Sequence, residues 1–142
     1  AILLLRAGTD YRAAAVATNP NQGAAQFLVQ NGYRDGYASF WDGNVMTELT
    51  DGTLNVWTLT PNSVPELRPW LQVTSHLQTP PQGKIFFVIS KWEAYGERQP
   101  TTQALADAMP EDALIYEDAT VKIYGFASDE AMRQACGFAA FP

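Results

Sequence analysis

The stretch YRDGYASFWDGNVMTELTDGTLNVWTL, residues 33–59, constrains the fold more than any other part of the chain. Short aromatic runs are typical of buried strands, apolar residues at helical spacing indicate a helix, and Asp-Gly is a common helix stop. The segments of this stretch are, in order, a strand at 36–40, a turn able to start a helix at 41–44, a helix at 45–49, a stop at Asp51-Gly52 and an alternating strand at 54–59. The stretch therefore predicts a strand–helix–strand unit.

The rest of the chain continues this alternation of strands and helices. Residues 84–90, KIFFVIS, are apolar on both faces and predict a strand at the centre of a covered sheet. The other predicted elements are a helix at 23–30 with a left-handed cap at Asn31-Gly32, an edge strand near 71–74, a helix at 102–108, strands at 113–117 and 120–126, and a last helix capped by Ser128 and ended by Gly137. The two late strands form either a tight hairpin or a strand followed by its neighbour. The pattern predicts one α/β domain over residues 1–142, a sandwich with a mixed, mostly parallel sheet flanked by short helices.

Composition excludes several classes of function. The net charge is −6 and the nine basic residues form no run, which argues against nucleic acid as a partner. The chain has one cysteine, Cys136, so it cannot form an intramolecular disulfide. It has one histidine, His76, so a zinc site would need mainly carboxylate ligands. We therefore expect no metal site and no cofactor.

No catalytic residue is predicted from the sequence. Ser39 lacks the flanking glycines of a nucleophile elbow, and no glycine-rich phosphate loop follows a strand. His76 lies in a proline-rich segment and is interpreted as a surface residue, while Cys136 near a helix end is interpreted as a small core residue.

Two predicted strands are followed by chemically rich segments. In open α/β sheets, ligands bind beyond the carboxyl ends of the strands. If the strands at 36–40 and 84–90 are parallel neighbours, both segments face one crevice, where aromatic rings could stack on a sugar and polar groups could take its hydroxyls or a phosphate. The candidate ligand-binding residues are Tyr37, Ser39, Trp41, Asp42 and Asn44 after the first strand, and Lys91, Trp92 and Glu93 after the second.

The same residues also have an ordinary structural interpretation. Asp42 could be a helix N-cap, Trp41 a packing residue and Trp92 a lid over the sheet end. The acidic residues of the late segment fit a solvated rim better than a metal site; they are Glu111, Asp112, Glu117 and Asp118.

The run GYASFWDGNVMTELTDGTLNVWTL, residues 36–59, resembles a segment of bacterial polytopic membrane proteins of the glycosyltransferase type, the mannosyltransferase-like and aminoarabinose-transferase-like proteins. These carry a soluble extracytoplasmic domain after their last membrane helices. Residues 117–124, EDATVKIY, resemble the closing strand of the same domains. The resemblance covers about a third of the chain and implies no catalytic residue in it.

The resemblance implies an accessory domain that is tethered on the extracytoplasmic side of the membrane, periplasmic or cell-surface. Its parent would move a sugar from a lipid-linked donor to a cell-envelope acceptor, with the membrane-embedded part of that chain and sugar or lipid-linked sugar as partners. The opening run Ile2-Leu3-Leu4-Leu5 is then the stub of a membrane helix; it could equally be a first buried strand. The alternative function is a soluble protein-interaction module, and a small stand-alone enzyme ranks below both.

Overall fold

The computed structural model describes residues 19–60, 66–69, 72–91 and 100–142. Strands and helices alternate along these ranges, as expected for the α/β class. In chain order the elements are α1 (Gln22–Gln30), β1 (Asp35–Ser39), α2 (Phe40–Leu49), β2 (Asn55–Thr60), β3 (Glu66–Leu67), β4 (Ile85–Ser90), α3 (Pro100–Ala108), β5 (Leu114–Glu117), β6 (Val121–Phe126) and α4 (Asp129–Cys136), with single 3₁₀ turns at Thr74–Leu77 and Glu111–Ala113.

The six strands form one mixed sheet in the order β3-β2-β1-β4-β6-β5. Strand β1 pairs in parallel with β2 and with β4, whereas the β2–β3, β4–β6 and β5–β6 pairs are antiparallel. The predicted α/β class with a mixed sheet and short helices is confirmed. Three of the five strand pairings are antiparallel, whereas the sequence predicted a mostly parallel sheet. Of the two arrangements predicted for the late strands, β5 and β6 form the hairpin.

Helices cover both faces of the sheet. On one face, α1 and α2 pack through Leu28 and Met46 against side chains such as Phe86. On the other face, α3 and α4 pack through Leu105 and Met132. Neighbouring residues of one strand point to opposite faces, and every residue of β4 is buried, which explains its unbroken apolar sequence. We refer to the two sides as the α1/α2 face and the α3/α4 face.

The predicted helix ends agree with the structure at several positions. Helix α1 ends at Gly32 with φ of 71°, and α2 is followed by Asp51 and Gly52 with φ of 49° and 77°. The Ser128 hydroxyl accepts a hydrogen bond from the Ala131 N–H at 3.0 Å and caps α4, in agreement with the prediction.

Other predicted boundaries are wrong. Helix α2 begins directly at Phe40, so residues 41–44 form its first turns and not a separate turn. Helix α3 begins at Pro100, two residues before Thr102. Residues 72–73 of the predicted edge strand are not in a strand, and the edge strand beside β2 is β3.

His76 is buried, with 8% of its surface exposed, and its interpretation as a surface residue is wrong. Its imidazole stacks on the Trp57 indole, with ring centroids 3.9 Å apart and planes 19° from parallel. The Trp57 Nε1–H donates to the Thr79 carbonyl at 3.0 Å, which holds this loop on the α3/α4 face. Burial lowers the pKa of His76, and the negative charge of Asp35 raises it by less. The imidazole is therefore neutral at pH 7 and packs against Trp57.

Within the described ranges, no helix combines the length and apolar composition that crossing a membrane requires.

Candidate functional site

The carboxyl ends of β1 and β4 lie side by side at one edge of the sheet. The two strands are parallel neighbours, as the predicted shared crevice required. After β1 the chain turns to α2 and β2 on one side, whereas β4 is followed by the strands on its other side. Such a switch in direction is where open α/β sheets bind ligands. We call the residues Asn21, Ser39, Trp41 and Asp42 at this place the edge site.

The Asp42 carboxylate lies at the centre of the edge site. It follows the end of β1 in the first turn of α2, so the strand–helix junction fixes its position. Its Oδ1 accepts a hydrogen bond from the Asn21 amide at 3.1 Å, and its Oδ2 accepts one from the Ser39 hydroxyl at 3.2 Å. Each carboxylate oxygen can accept a further hydrogen bond, so Asp42 can still bind a ligand hydroxyl.

Burial raises the pKa of the Asp42 carboxyl, and the hydrogen bonds from Asn21 and Ser39 lower it only in part. The fold therefore holds this carboxylate at a net electrostatic cost. Asp42 is not the N-cap of α2 as one interpretation of the sequence had it, because Ser39 occupies that position. A carboxyl group whose pKa is raised by burial at the edge of a sheet is a candidate functional group.

Trp41 lies beside Asp42 with 72% of its surface exposed. Its ring is therefore not packed in the core of the domain. An exposed indole ring is available for contact with a ligand or a partner, although single apolar side chains are common on protein surfaces. Asn44, one helical turn further along α2, is also exposed.

The edge is completed by the turn between β5 and β6. Lys91 follows β4 and its Nζ forms a salt bridge with the Glu117 carboxylate at 2.7 Å, and this hydrogen bond lowers the pKa of Glu117. Burial raises the pKa of Asp118, but backbone and hydroxyl hydrogen bonds outweigh it and keep this carboxyl ionised. Among these partners is Thr120, whose N–H and hydroxyl donate to the Asp118 Oδ1 at 2.7 and 2.8 Å. These acidic residues stabilise the turn.

The structure places most of the predicted ligand-binding residues at the carboxyl edge of the sheet, but not all of them. Ser39, Trp41, Asp42, Asn44 and Lys91 all lie at the carboxyl edge, as predicted. Tyr37 does not, because it is fully buried on the α3/α4 face, where its hydroxyl donates to Asp129 at 2.7 Å. Trp92 and Glu93 lie outside the described residues.

Asn21 is the site residue that the sequence did not reveal. It is the N-cap of α1, but its side chain makes no capping hydrogen bond and instead donates to Asp42. Asparagine at an N-cap normally bonds to its own helix, so the sequence favours that local role. The start of α1 lies near the turn between β5 and β6, since the Pro20 carbonyl is 3.4 Å from the Thr120 hydroxyl that donates to Asp118.

We expect Asp42→Asn to leave the free energy of unfolding at pH 7 unchanged or higher, within about 1 kcal/mol, since a neutral amide loses less on burial. The pKa of Asp42 is raised in the folded state, so its contribution to stability is present below the unfolded value of 3.8 and is lost as the pH rises through the folded value. The stability of the variant relative to the wild type should thus be greater at pH 7 than at pH 3.5. Urea denaturation at both pH values measures this.

The matched control for Asp42→Asn is Asp107→Asn, on an exposed position of α3. The control should change the free energy of unfolding at pH 7 by less than about 0.5 kcal/mol, because it lies on the surface. A loss of more than about 2 kcal/mol at pH 7 for Asp42→Asn would show instead that the carboxylate is needed for folding.

The edge site combines a carboxylate, an amide, a hydroxyl and an exposed indole ring. In the part of the chain that the structure describes, no three histidine, cysteine or acidic side chains are placed to hold a metal ion. The set matches a ligand with many hydroxyl groups and one apolar face. Comparisons of the chain with models of known protein families, with curated proteins and with solved structures gave no significant match.

Proposed function

We propose that this chain is a carbohydrate-binding accessory domain of a membrane glycosyltransferase, one that moves a sugar from a lipid-linked donor to a cell-envelope acceptor. The domain lies on the extracytoplasmic side and binds sugar at the edge site without catalysing the transfer. The single observation that carries the sugar-binding proposal is the exposed Trp41 ring next in sequence to Asp42, whose carboxylate forms a partly buried hydrogen bond with Asn21. The membrane parent and the location rest on the sequence resemblance of residues 36–59 and 117–124.

The expected energies favour the tryptophan as the main contact. Covering one face of an indole removes roughly 100 Å² of apolar surface from water, worth about 2.5 kcal/mol. A single neutral hydrogen bond contributes about 0.5–1.5 kcal/mol after water is displaced. Trp41 therefore supplies affinity, while Asp42 and Asn21 select the orientation of the hydroxyls.

We expect Trp41→Ala to weaken sugar binding at least about tenfold, because the stacking surface is lost. The fold should be retained, since the ring is mostly exposed. Isothermal titration calorimetry with a panel of monosaccharides and sugar phosphates measures the affinity, and circular dichroism checks the fold.

The matched control is Val73→Ala, which shortens another exposed apolar side chain. Val73 precedes the 3₁₀ turn that carries His76, on the α3/α4 face and away from the edge site. This variant should bind sugar like the wild type. Equal affinity of Trp41→Ala and the wild type for every sugar would contradict the proposal.

The rival function is a protein-interaction module, which the exposed Trp41 also fits because tryptophan is enriched in interfaces. The two functions differ in the role of Asp42. A sugar should lose affinity in Asp42→Asn, whereas a partner that only covers the indole ring should not. A reading frame that continues upstream through several apolar stretches of about 20 residues would favour the membrane parent.

A further inference from the structure

A polar groove runs between α1 and α2 on the outside of the α1/α2 face. Its volume is about 340 Å³, within the range of small-molecule sites. It is lined by the side chains of Gln22, Ala25, Gln26, Val29, Gln30, Leu49, Thr50 and Thr53. None of these residues is charged, so the groove suits a neutral ligand.

The amides of α1 form a regular row along this groove. Gln22, Gln26 and Gln30 are spaced four residues apart and so share one side of the helix. The row extends over roughly 12 Å, at 1.5 Å of rise per residue. Each amide offers both donors and an acceptor, as the hydroxyl groups of a sugar chain require.

One acceptor in this row has no partner in the part of the chain that the structure describes. The Oε1 atom of Gln22 is buried and makes no hydrogen bond among the described residues. A buried polar atom without a partner is uncommon and is explained when a ligand supplies the donor. Because this atom is buried, a ligand O–H in the groove can supply the donor only when the Gln22 side chain rotates toward the groove.

The groove begins where the edge site ends. Gln22 directly follows Asn21, whose amide donates to Asp42. A chain-like ligand held at Asp42 and Trp41 would therefore continue along α1 into the groove.

We propose that the groove between α1 and α2 binds the continuing units of a neutral oligosaccharide whose terminal sugar occupies the edge site. This inference rests on the proposed sugar-binding function and narrows the ligand to a neutral chain of more than one sugar. The uncharged lining disfavours sugar phosphates beyond the first unit, since a phosphate there would lack a cationic partner.

The test is calorimetry with glucose- and mannose-based series of one to four units, on the wild type and on Gln22→Leu. Wild-type affinity should rise at least about tenfold from the mono- to the trisaccharide. Gln22→Leu should remove most of that gain and leave the affinity for the monosaccharide unchanged. The variant should fold, because it replaces an acceptor that has no partner within the described ranges with an apolar side chain of similar size.

Gln103→Leu is the matched control, an exposed glutamine of α3 on the opposite face, and should retain the gain. Affinity that does not depend on chain length, or a gain that Gln22→Leu retains, would overturn the groove proposal and leave the edge site standing. A chain-length gain that depends on Gln22 but not on Trp41 would support the groove and contradict the edge site. Absence of binding in both series would overturn both proposals.

Discussion

Gly36→Ala is expected to destabilise the fold by about 3 kcal/mol or more, a large part of the stability of a domain of this size. Gly36 pairs with Phe86 at the centre of the sheet. A methyl group at Gly36 would lie 2.5 Å from the Cγ and Cδ2 atoms of the Phe86 ring and also against the Phe86 backbone oxygen. Phe86 is fully buried, so neither its ring nor its backbone can move aside.

The measurement for Gly36→Ala is urea denaturation followed by circular dichroism. Gly23→Ala is the matched control, since the same methyl is added on exposed α1 and meets only the hydroxyl tip of Tyr116 at 3.0 Å. The control should change stability by less than about 1 kcal/mol, because alanine favours helix. Wild-type stability of Gly36→Ala would mean that β1 and β4 do not pair in this register.

Asp129→Ala is expected to cost about 3 kcal/mol, because Asp129 connects the sheet to α4. Its Oδ1 accepts from the Tyr37 hydroxyl at 2.7 Å, and its Oδ2 accepts from the Arg133 Nε at 2.9 Å. Burial, together with the hydrogen bond to Asp129, raises the pKa of Tyr37, so its hydroxyl stays a donor. Truncating Asp129 leaves this buried hydroxyl without a partner, which is more costly than losing an exposed ion pair.

The double variant Tyr37→Phe/Asp129→Ala tests this explanation for Asp129. It should be less destabilised than the sum of the two single variants, since phenylalanine removes the orphaned hydroxyl. Glu130→Ala is the control, because Glu130 shares the first turn of α4 but bonds only to Gln134 at its surface. Strict additivity in urea denaturation would show that the Tyr37–Asp129 hydrogen bond contributes little.

Much of the fold could be predicted because its signals are local. The unbroken apolar run of β4, the cap at Ser128 and the left-handed glycines each report on their own segment. The start of α2 was misjudged because Asp42-Gly43 has the sequence of a turn. Gly43 is in fact buried in the helix, where a Cβ would lie 2.9 Å from the Thr58 side chain of β2. The glycine is needed for close packing, which only the tertiary structure shows.

The candidate site was predictable only where its residues are neighbours in sequence. Ser39, Trp41 and Asp42 follow one strand end, so a general rule for α/β sheets located them. Asn21 is separated from Asp42 by 21 residues, and only the packing of α1 against α2 brings the two together. Tyr37 was assigned to the site wrongly because the face on which a strand residue lies depends on the register of the whole sheet.

The most direct test of sugar binding at the edge site is protein-observed NMR on the ¹⁵N-labelled domain during titration with sugars. We predict saturable shifts of the Trp41 indole N–H and of the amides of Asn21, Ser39 and Asp42, with little change at Asp129 on the opposite face. Shifts centred on the α3/α4 face, or no saturable shift with any sugar, would contradict the account.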